Sequence, residues 1–175
     1  MRHLIFGLCI VFLWAIQAVA QNAVIKSTLI FPPQEQHVHG SSVVALPSGD
    51  FLAVWFQGSG ERKANDVKIM GARLKKGVSV WSAPFLMADT PNLPDCNPVV
   101  FLNKENKLFL VWIAVQANEW ETSILRYKTS TNYAGNGAPK WDWQDNILLN
   151  PGDEFHQEVK AKFKELPDLH RGWST

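Results

Sequence analysis

Cysteine is nearly absent from this sequence, with two residues in a chain of 175. One of them, Cys9, lies in an apolar N-terminal segment, which leaves Cys96 as the only thiol of the remaining chain. A disulfide within that remaining chain is therefore excluded. The fold therefore depends on its hydrophobic core for stability. A chain that is exported without disulfides fits a bacterial periplasm better than the disulfide-rich class of eukaryotic secreted domains.

An excess of charge of either sign is also lacking, since 17 Lys and Arg face 16 Asp and Glu for a net charge of +1. This balance gives no basic field for nucleic acid, and we expect no nucleic-acid partner. With 46% hydrophobic and 19% charged residues, the chain can form a core and is not of the disordered class. Its length suits one domain or a piece of one.

Long apolar runs are missing except near the N-terminus, at residues 4–16. Arg2 and His3 precede this run, and Ala18-Val19-Ala20 provides a cleavage motif before Gln21. The pattern predicts a signal peptide over residues 1–20, because the run is short for a membrane span; a retained signal anchor is the alternative. We expect an exported mature protein, secreted or periplasmic, without a membrane span.

Tryptophan, in contrast, is abundant, and its positions reveal an internal repeat. Residues 46–56 read LPSGDFLAVWF, and residues 102–113 read LNKENKLFLVWI, so Trp55 and Trp112 take the same place. Trp81 and Trp141 likewise take equivalent places near the end of the two units. A period of roughly 57 residues fits a β-propeller blade better than a helical repeat.

Each unit is predicted to fold as four antiparallel strands, which makes the chain all-β. The strands are predicted at residues 38–46, 51–57, 66–74 and 78–87, then at 96–102, 108–115, 122–130 and 140–149, with Pro84 inside the fourth. We therefore expect two blades, over about residues 37–88 and 96–149, of an incomplete propeller domain that spans residues 21–150.

Two further segments flank these units. A strand predicted at residues 24–31 has no partner in either unit, and such a strand ordinarily completes the last blade of a closed ring of four to eight. We interpret the sequence as the N-terminal part of a longer propeller; a self-contained sandwich of eight or nine strands is the alternative. Residues 151–175 are predicted as a tail with a helix at 155–166, which aligns Phe155, Val159 and Phe163 on one face.

Four polar residues are predicted to converge at one end of the sheets. His39 and Asn97 start the innermost strands of the two units, and Glu61 and Asp66 flank the loop after the second strand of the first unit. Paired carboxylates suit glycoside hydrolysis, in which one group protonates the leaving oxygen. In the simpler interpretation the carboxylates are solvated loop residues, Asp66 caps its own loop, and His39 hydrogen-bonds a turn.

A metal site is not predicted. His37 and His39 share one face of a strand, but no further ligand stands nearby at a suitable sequence spacing. The sequence likewise indicates no cofactor.

Taken together, seven short motifs resemble the N-terminal part of bacterial sialidases. In order they are His39, Leu46-Pro-x-Gly-Asp50, Trp55-Phe56-x-Gly58, Glu61, Asp66-Val-x-Ile69, Trp81-Ser-x-Pro84 and Cys96-Asn97-Pro98-Val99. The resemblance covers residues 37–150 and implies BNR repeats on a six-bladed propeller. It also implies an exo-α-sialidase type of glycoside hydrolase that acts on glycans.

The resemblance also implies roles for the four polar residues. In this family, the loop that holds Asp66 and Glu61 delivers the acid/base carboxylate, which makes these two the catalytic candidates. The start of the first inner strand contributes to the pocket for the sugar carboxylate, so His39 is a substrate-binding candidate, and Asn97 takes the equivalent place in the second unit.

The sequence departs from the family pattern at several points. Sialidases carry an Arg-Ile-Pro motif in the first inner strand, where this chain has Val38-His39-Gly40, and the turn motif at residues 130–135 is degraded. Tyr127 and Tyr133 match no nucleophile motif; the nucleophilic tyrosine and the other arginines belong to later blades. We therefore expect no turnover from this chain alone. A non-catalytic carbohydrate-binding propeller and a cell-surface structural domain are the alternatives.

Overall fold

A computed structural model describes residues 27–165, which form two four-stranded antiparallel sheets and a helix. The first sheet contains β1 (His37–Ala45), β2 (Phe51–Gly58), β3 (Lys68–Leu74) and β4 (Phe85–Ala88). The second contains β5 (Asp95–Leu102), β6 (Leu108–Ala114), β7 (Ile124–Ser130) and β8 (Trp143–Asn146), and helix α1 (Asp153–Glu165) follows. The predicted signal peptide, residues 1–20, lies outside the described residues.

The strands of each sheet pair in the order in which they occur along the chain. Trp55 lies in the second strand of sheet 1, opposite Met70, and Trp112 lies in the second strand of sheet 2, opposite Arg126. The predicted repeat of two four-stranded meanders, with the two tryptophans in equivalent strands, is therefore confirmed.

Apolar residues of the two second strands form the layer in which the sheets pack. Leu52, Val54 and Phe56 are fully buried on one face of β2, and Leu108 and Leu110 are fully buried on β6. Both sets belong to one core cluster between the two sheets. Burial of each such side chain is worth about 1.5–3 kcal/mol relative to exposure, so this layer is the main source of stability.

Polar contacts also join the two sheets at their rim. The side chain of Arg73 is 1% exposed, and its guanidinium donates from Nε to the Gly137 carbonyl at 2.7 Å and from Nη2 to the Tyr133 carbonyl at 2.6 Å. Lys75 bridges the Asp50 carboxylate and the Gly135 carbonyl, at 2.9 and 2.8 Å. The loop between β7 and β8 is thereby fixed against sheet 1.

The inner strand of each sheet contains a β-bulge at the same place. The register shifts between His39 and Ser42 in β1 and between Cys96 and Val99 in β5. Gly40 has a φ of 61° within the first bulge, and a Cβ there would lie 2.8 Å from Cε1 of Phe56. Glycine is therefore required at this position both by conformation and by space. Bulges bend a strand and re-aim its side chains.

The structure corrects the prediction of a strand at residues 24–31. Residues 27–31 form no strand, and residues 24–26 lie outside the described part. Phe31 instead packs its ring on Trp55, with the centroids 5.1 Å apart. Pro32 and Pro33 follow and lack backbone N–H donors, so side-chain packing rather than strand pairing holds this segment.

The outermost strands and the helix also differ from the sequence prediction. Strands β4 and β8 have four residues each, and Pro84 precedes β4 instead of lying inside it. Helix α1 starts at Asp153, and none of its residues is buried. Among residues 27–165, no helix is long and apolar enough to cross a membrane.

Candidate functional site

His39 and Glu61 meet at the end of sheet 1 where β1 begins and β2 ends. His39 lies on β1, and Glu61 opens a short 3-10 turn at Glu61–Lys63 between β2 and β3. The distance from Nδ1 of His39 to Oε1 of Glu61 is 4.0 Å, and both side chains are partly open to solvent. An imidazole and a carboxylate are thus available to a ligand at this end.

Asp66 holds the loop that carries Glu61. Its carboxylate accepts bonds from the Ser59 backbone N–H at 3.1 and 3.2 Å and from the Ser59 hydroxyl at 2.8 Å. These bonds, from the backbone N–H first and the hydroxyl second, lower the pKa of Asp66 below its ordinary value. These bonds also close the loop between Ser59 and Asp66.

The second sheet braces the same loop from the other side. Nδ2 of Asn118 donates to the Lys63 carbonyl at 2.8 Å and to the Arg62 carbonyl at 3.2 Å. Arg62 lies 3.8 Å from the Glu119 carboxylate, and its guanidinium stands 5.7 Å from the centroid of the Trp120 ring. Glu61 therefore projects from a turn that is held at both flanks.

Asn97 completes the group at this end. It occupies the β5 bulge with a φ of 48°, and its Oδ1 lies 3.2 Å from the point where a Cβ on Gly40 would stand. Gly40 is adjacent to His39, so the amide of Asn97 borders the imidazole-bearing bulge. Of the four predicted site residues, His39 and Glu61 lie 4.0 Å apart, Asn97 borders the neighbouring Gly40, and the carboxylate of Asp66 is bonded to Ser59.

Two titratable groups of β5, the Asp95 carboxyl and the Cys96 thiol, are fully buried. Asp95 is fully buried, and its carboxylate accepts from the Thr90 N–H at 2.6 Å and from Nε1 of Trp112 at 2.8 Å. Burial raises the pKa of Asp95. Burial, with smaller contributions from the charges of Glu61 and Asp95, raises the pKa of the Cys96 thiol to about 12. Burial of this kind is typical of a structural cysteine rather than a reactive one.

A cavity of about 320 Å³ adjoins the start of β1, with a mainly apolar lining. Its lining includes the rings of Phe31 and Trp55 together with Val38, His39 and Gly40 of β1. Aromatic and apolar walls with few polar groups are typical of small-ligand sites. His39 thus borders both this cavity and the Glu61 turn.

His37 also lies close to His39 and Glu61, which sequence reasoning did not predict. The ligand atoms of His37, His39 and Glu61 all lie within 4.8 Å of one another. The i, i+2 spacing of the two histidines was visible in the sequence. The approach of Glu61 depends on how the intervening loop folds back, which sequence spacing does not reveal.

Comparison with known proteins identifies the family. Residues 49–168 match the BNR repeat-like domain. The Hadza microbial sialidase Hz136 has the same fold over 63% of this chain, with a TM-score of 0.50 and 14% sequence identity. The matched part is 26% of the sialidase chain, so this chain spans about a quarter of that protein. No curated protein matches the sequence.

The family match covers β2 to β4 of sheet 1, all of sheet 2 and all of α1, including both second strands with their tryptophans. The architecture agrees with this match, since each sheet is a consecutive four-stranded meander with a bulged inner strand. The chain therefore belongs to the BNR repeat-like domain family and has a sialidase-like fold.

Proposed function

We propose that the chain forms the first two blades of an exported sialidase-like glycoside hydrolase and supplies one wall of its glycan site. The main support for this proposal is the approach of His39 and Glu61 to 4.0 Å at one end of sheet 1, with Asn97 beside the adjacent Gly40. A carboxylate beside an imidazole can bind sugar hydroxyls and transfer a proton to or from a glycosidic oxygen.

The outer face of sheet 2 supports the proposal that further blades follow. Val99 is 51% exposed and Phe101 is 41% exposed on this face. The rings of Phe101 and Phe109 stack with centroids 5.2 Å apart. An apolar face of this kind is what a neighbouring blade would cover, and contiguous exposed apolar surface usually marks an interface. The domain would then extend beyond the two blades at residues 37–88 and 96–149.

Within this site we assign different roles to the two carboxylates. Glu61 is the better candidate for the acid/base group, because its side chain faces His39 and is free of a fixed hydrogen bond among residues 27–165. Asp66 is the better candidate for a positioning residue, because Ser59 binds both of its oxygens. A catalytic role of Asp66 itself is the competing assignment and follows from the family resemblance.

A non-catalytic glycan-binding propeller is the second candidate function. It is favoured by Val38-His39-Gly40, which stands where sialidases have an arginine for the sugar carboxylate. Binding without turnover in the complete protein would be its signature.

The chain can be tested directly with a fluorogenic sialoside and with sialyllactose as the binding probe. We expect no turnover, because transition-state stabilisation needs groups from several blades, but we expect weak binding of sialyllactose. Glu61→Gln should weaken binding about tenfold or more, since loss of a charged hydrogen bond costs about 1.5–3 kcal/mol.

The matched control is Glu121→Gln, because Glu121 lies in the equivalent 3-10 turn of sheet 2, Trp120–Thr122. This variant should bind as the unchanged chain does. Absence of any sialyllactose binding would refute the glycan site. Turnover that disappears in Asp66→Ala would instead show that the two blades are catalytic and that Asp66 is the acid.

Export is also part of the proposal. It rests on the signal peptide predicted at residues 1–20 and is tested by N-terminal sequencing of the protein recovered from the periplasm or medium. A mature N-terminus at Gln21 is expected, whereas recovery only from the cytoplasm with Met1 intact would contradict it.

A further inference from the structure

Three potential metal ligands lie together at the exposed end of sheet 1. His37 and His39 are two residues apart on β1, which places both rings on the same face of the strand. The centroids of the two rings are 5.7 Å apart. The nearest ligand atoms of His37, His39 and Glu61 all lie within 4.8 Å of one another.

Rigid parts of the fold support these three side chains. The Phe56 ring is fully buried, and its centroid lies 5.6 Å from that of His37 and 5.7 Å from that of His39. Glu61 stands on the turn that Asp66 and Asn118 hold. Metal sites need ligands that are oriented by surrounding structure, and both sides of this group have such support.

The ligand atoms themselves are available. Among the hydrogen bonds of residues 27–165, none uses an imidazole nitrogen of His37 or His39 or a carboxylate oxygen of Glu61. Binding a metal would therefore displace only water. The exposure of the three side chains also leaves an entry path for an ion.

We propose that His37, His39 and Glu61 bind a divalent transition-metal ion, with Zn²⁺ as the best match. Two imidazole nitrogens and one carboxylate form a zinc donor set that leaves a fourth position for water or a ligand oxygen. Tetrahedral zinc with bonds of about 2.0–2.2 Å separates its ligand atoms by about 3.4 Å. The 4.0 Å between Nδ1 of His39 and Oε1 of Glu61 is near that value, and small side-chain rotations would bring the two atoms to the required separation.

The two imidazoles and the single carboxylate also determine which metal ions the site would select. Ca²⁺ takes six to eight oxygen ligands, which this group cannot supply, whereas imidazole nitrogen favours Zn²⁺, Cu²⁺ and Ni²⁺. The site goes beyond the proposed glycan function and does not rest on it, because metal binding needs only these three side chains.

The test is a calorimetric titration of the full 175-residue chain with Zn²⁺ alone, alongside the single variants His37→Ala, His39→Ala and Glu61→Gln. Each variant should weaken Zn²⁺ binding at least tenfold, since even loss of an outer-shell partner costs about 10–100-fold. Circular dichroism should be unchanged, because all three side chains are at the surface. Zn²⁺ should raise the unfolding temperature of the unchanged chain, and Ca²⁺ should not.

The control is His156→Ala, which removes an exposed histidine of α1 that is remote in sequence from the site. This variant should keep the affinity of the unchanged chain. Zn²⁺ binding that is absent, that survives all three site variants, or that is lost equally in His156→Ala would overturn the proposal. Glycan binding is measured separately without metal, so failure of one proposal leaves the other standing.

Discussion

The two sheets share a backbone design but differ in what stands at its key positions. The inner strand of each has a bulge with a left-handed residue, Gly40 in sheet 1 and Asn97 in sheet 2. The residue before it is an exposed imidazole, His39, in sheet 1 and a fully buried thiol, Cys96, in sheet 2. The same bulge thus presents a reactive group in one blade and fills the core in the other.

The repeated tryptophans show the same division. Trp55 donates to Oε1 of Gln57 at 3.2 Å and packs against Phe31. Trp112 donates to the buried carboxylate of Asp95 at 2.8 Å, and two cations, Arg126 and Lys128, stand within 5.6 Å of its ring centroid. The polar partners of Trp112 therefore form a buried network, whereas the bond between Trp55 and Gln57 is only partly buried. The repeated unit thus keeps the same strand order and bulge in both sheets, while the side chains at the equivalent positions differ in chemistry.

The largest expected effect comes from breaking the network of sheet 2. Asp95→Ala would leave two buried donors, the Thr90 N–H and Nε1 of Trp112, without acceptors. An unsatisfied buried donor costs about 1–3 kcal/mol, so we expect the free energy of unfolding to fall by about 2–5 kcal/mol. Urea denaturation of the chain measures it.

The matched variant in sheet 1 is Asp66→Ala, which removes an exposed carboxylate. It should cost clearly less, because water can replace the acceptor for Ser59. If the free energy of unfolding fell equally in Asp95→Ala and Asp66→Ala, the proposed difference between a structural carboxylate in sheet 2 and an exposed one in sheet 1 would be wrong.

The next effect concerns the two left-handed bulge positions. Gly40→Ala should destabilise the chain by about 1–3 kcal/mol, because alanine is strained at a φ of 61° and its Cβ would contact Phe56. Asn97→Gly should be neutral or slightly stabilising, since glycine adopts a φ of 48° without strain. Thermal unfolding of both variants tests this, and a stabilised Gly40→Ala chain would contradict the bulge geometry.

The smallest effect is a difference in pH dependence between the two sheets. The lowered pKa of Asp66 stabilises the fold above the ordinary carboxyl pKa of about 3.9, and this contribution is lost as the pH falls through the folded value. The raised pKa of Asp95 works in the opposite direction, because stability falls as the pH rises from about 3.9 through its folded value.

The two Asp→Asn variants make this difference measurable. The stability deficit of Asp66→Asn should shrink as the pH is lowered from 7 to below 4, while that of Asp95→Asn should grow. Denaturation midpoints at several pH values provide the measurement. Parallel trends in both variants would refute the opposite assignments of the two carboxylates.

Much of the fold could be predicted from the sequence because the signals are local. Trp55 and Trp112 with their preceding polar turns located the second strands. Strand length at the sheet edge could not be predicted, since Pro84 and side-chain packing rather than strand propensity set where β4 begins. The strand predicted at residues 24–31 is wrong for residues 27–31, because Phe31 packs on the Trp55 ring and needs no strand partner.

Prediction of the site was less complete because loops bring its members together. The positions of His39 and Asn97 on inner strands followed from the repeat. The approach of Glu61 to His37 and His39, and the closure of the Asp66 loop on Ser59, depend on one 3-10 turn and on Asn118 of the other sheet. No spacing in the sequence encodes that contact.

The most direct measurement is an NMR map of amide and imidazole shifts as the chain is titrated with sialyllactose. If sheet 1 carries the ligand site, the largest changes should fall on His37, His39 and the 3-10 turn Glu61–Lys63, with a smaller change at Asn97. The turn Trp120–Thr122 and the buried Cys96 should remain unchanged. Changes centred on the sheet 2 turn, or absent from His39 and Glu61 at saturation, would contradict the assignment of the site to sheet 1.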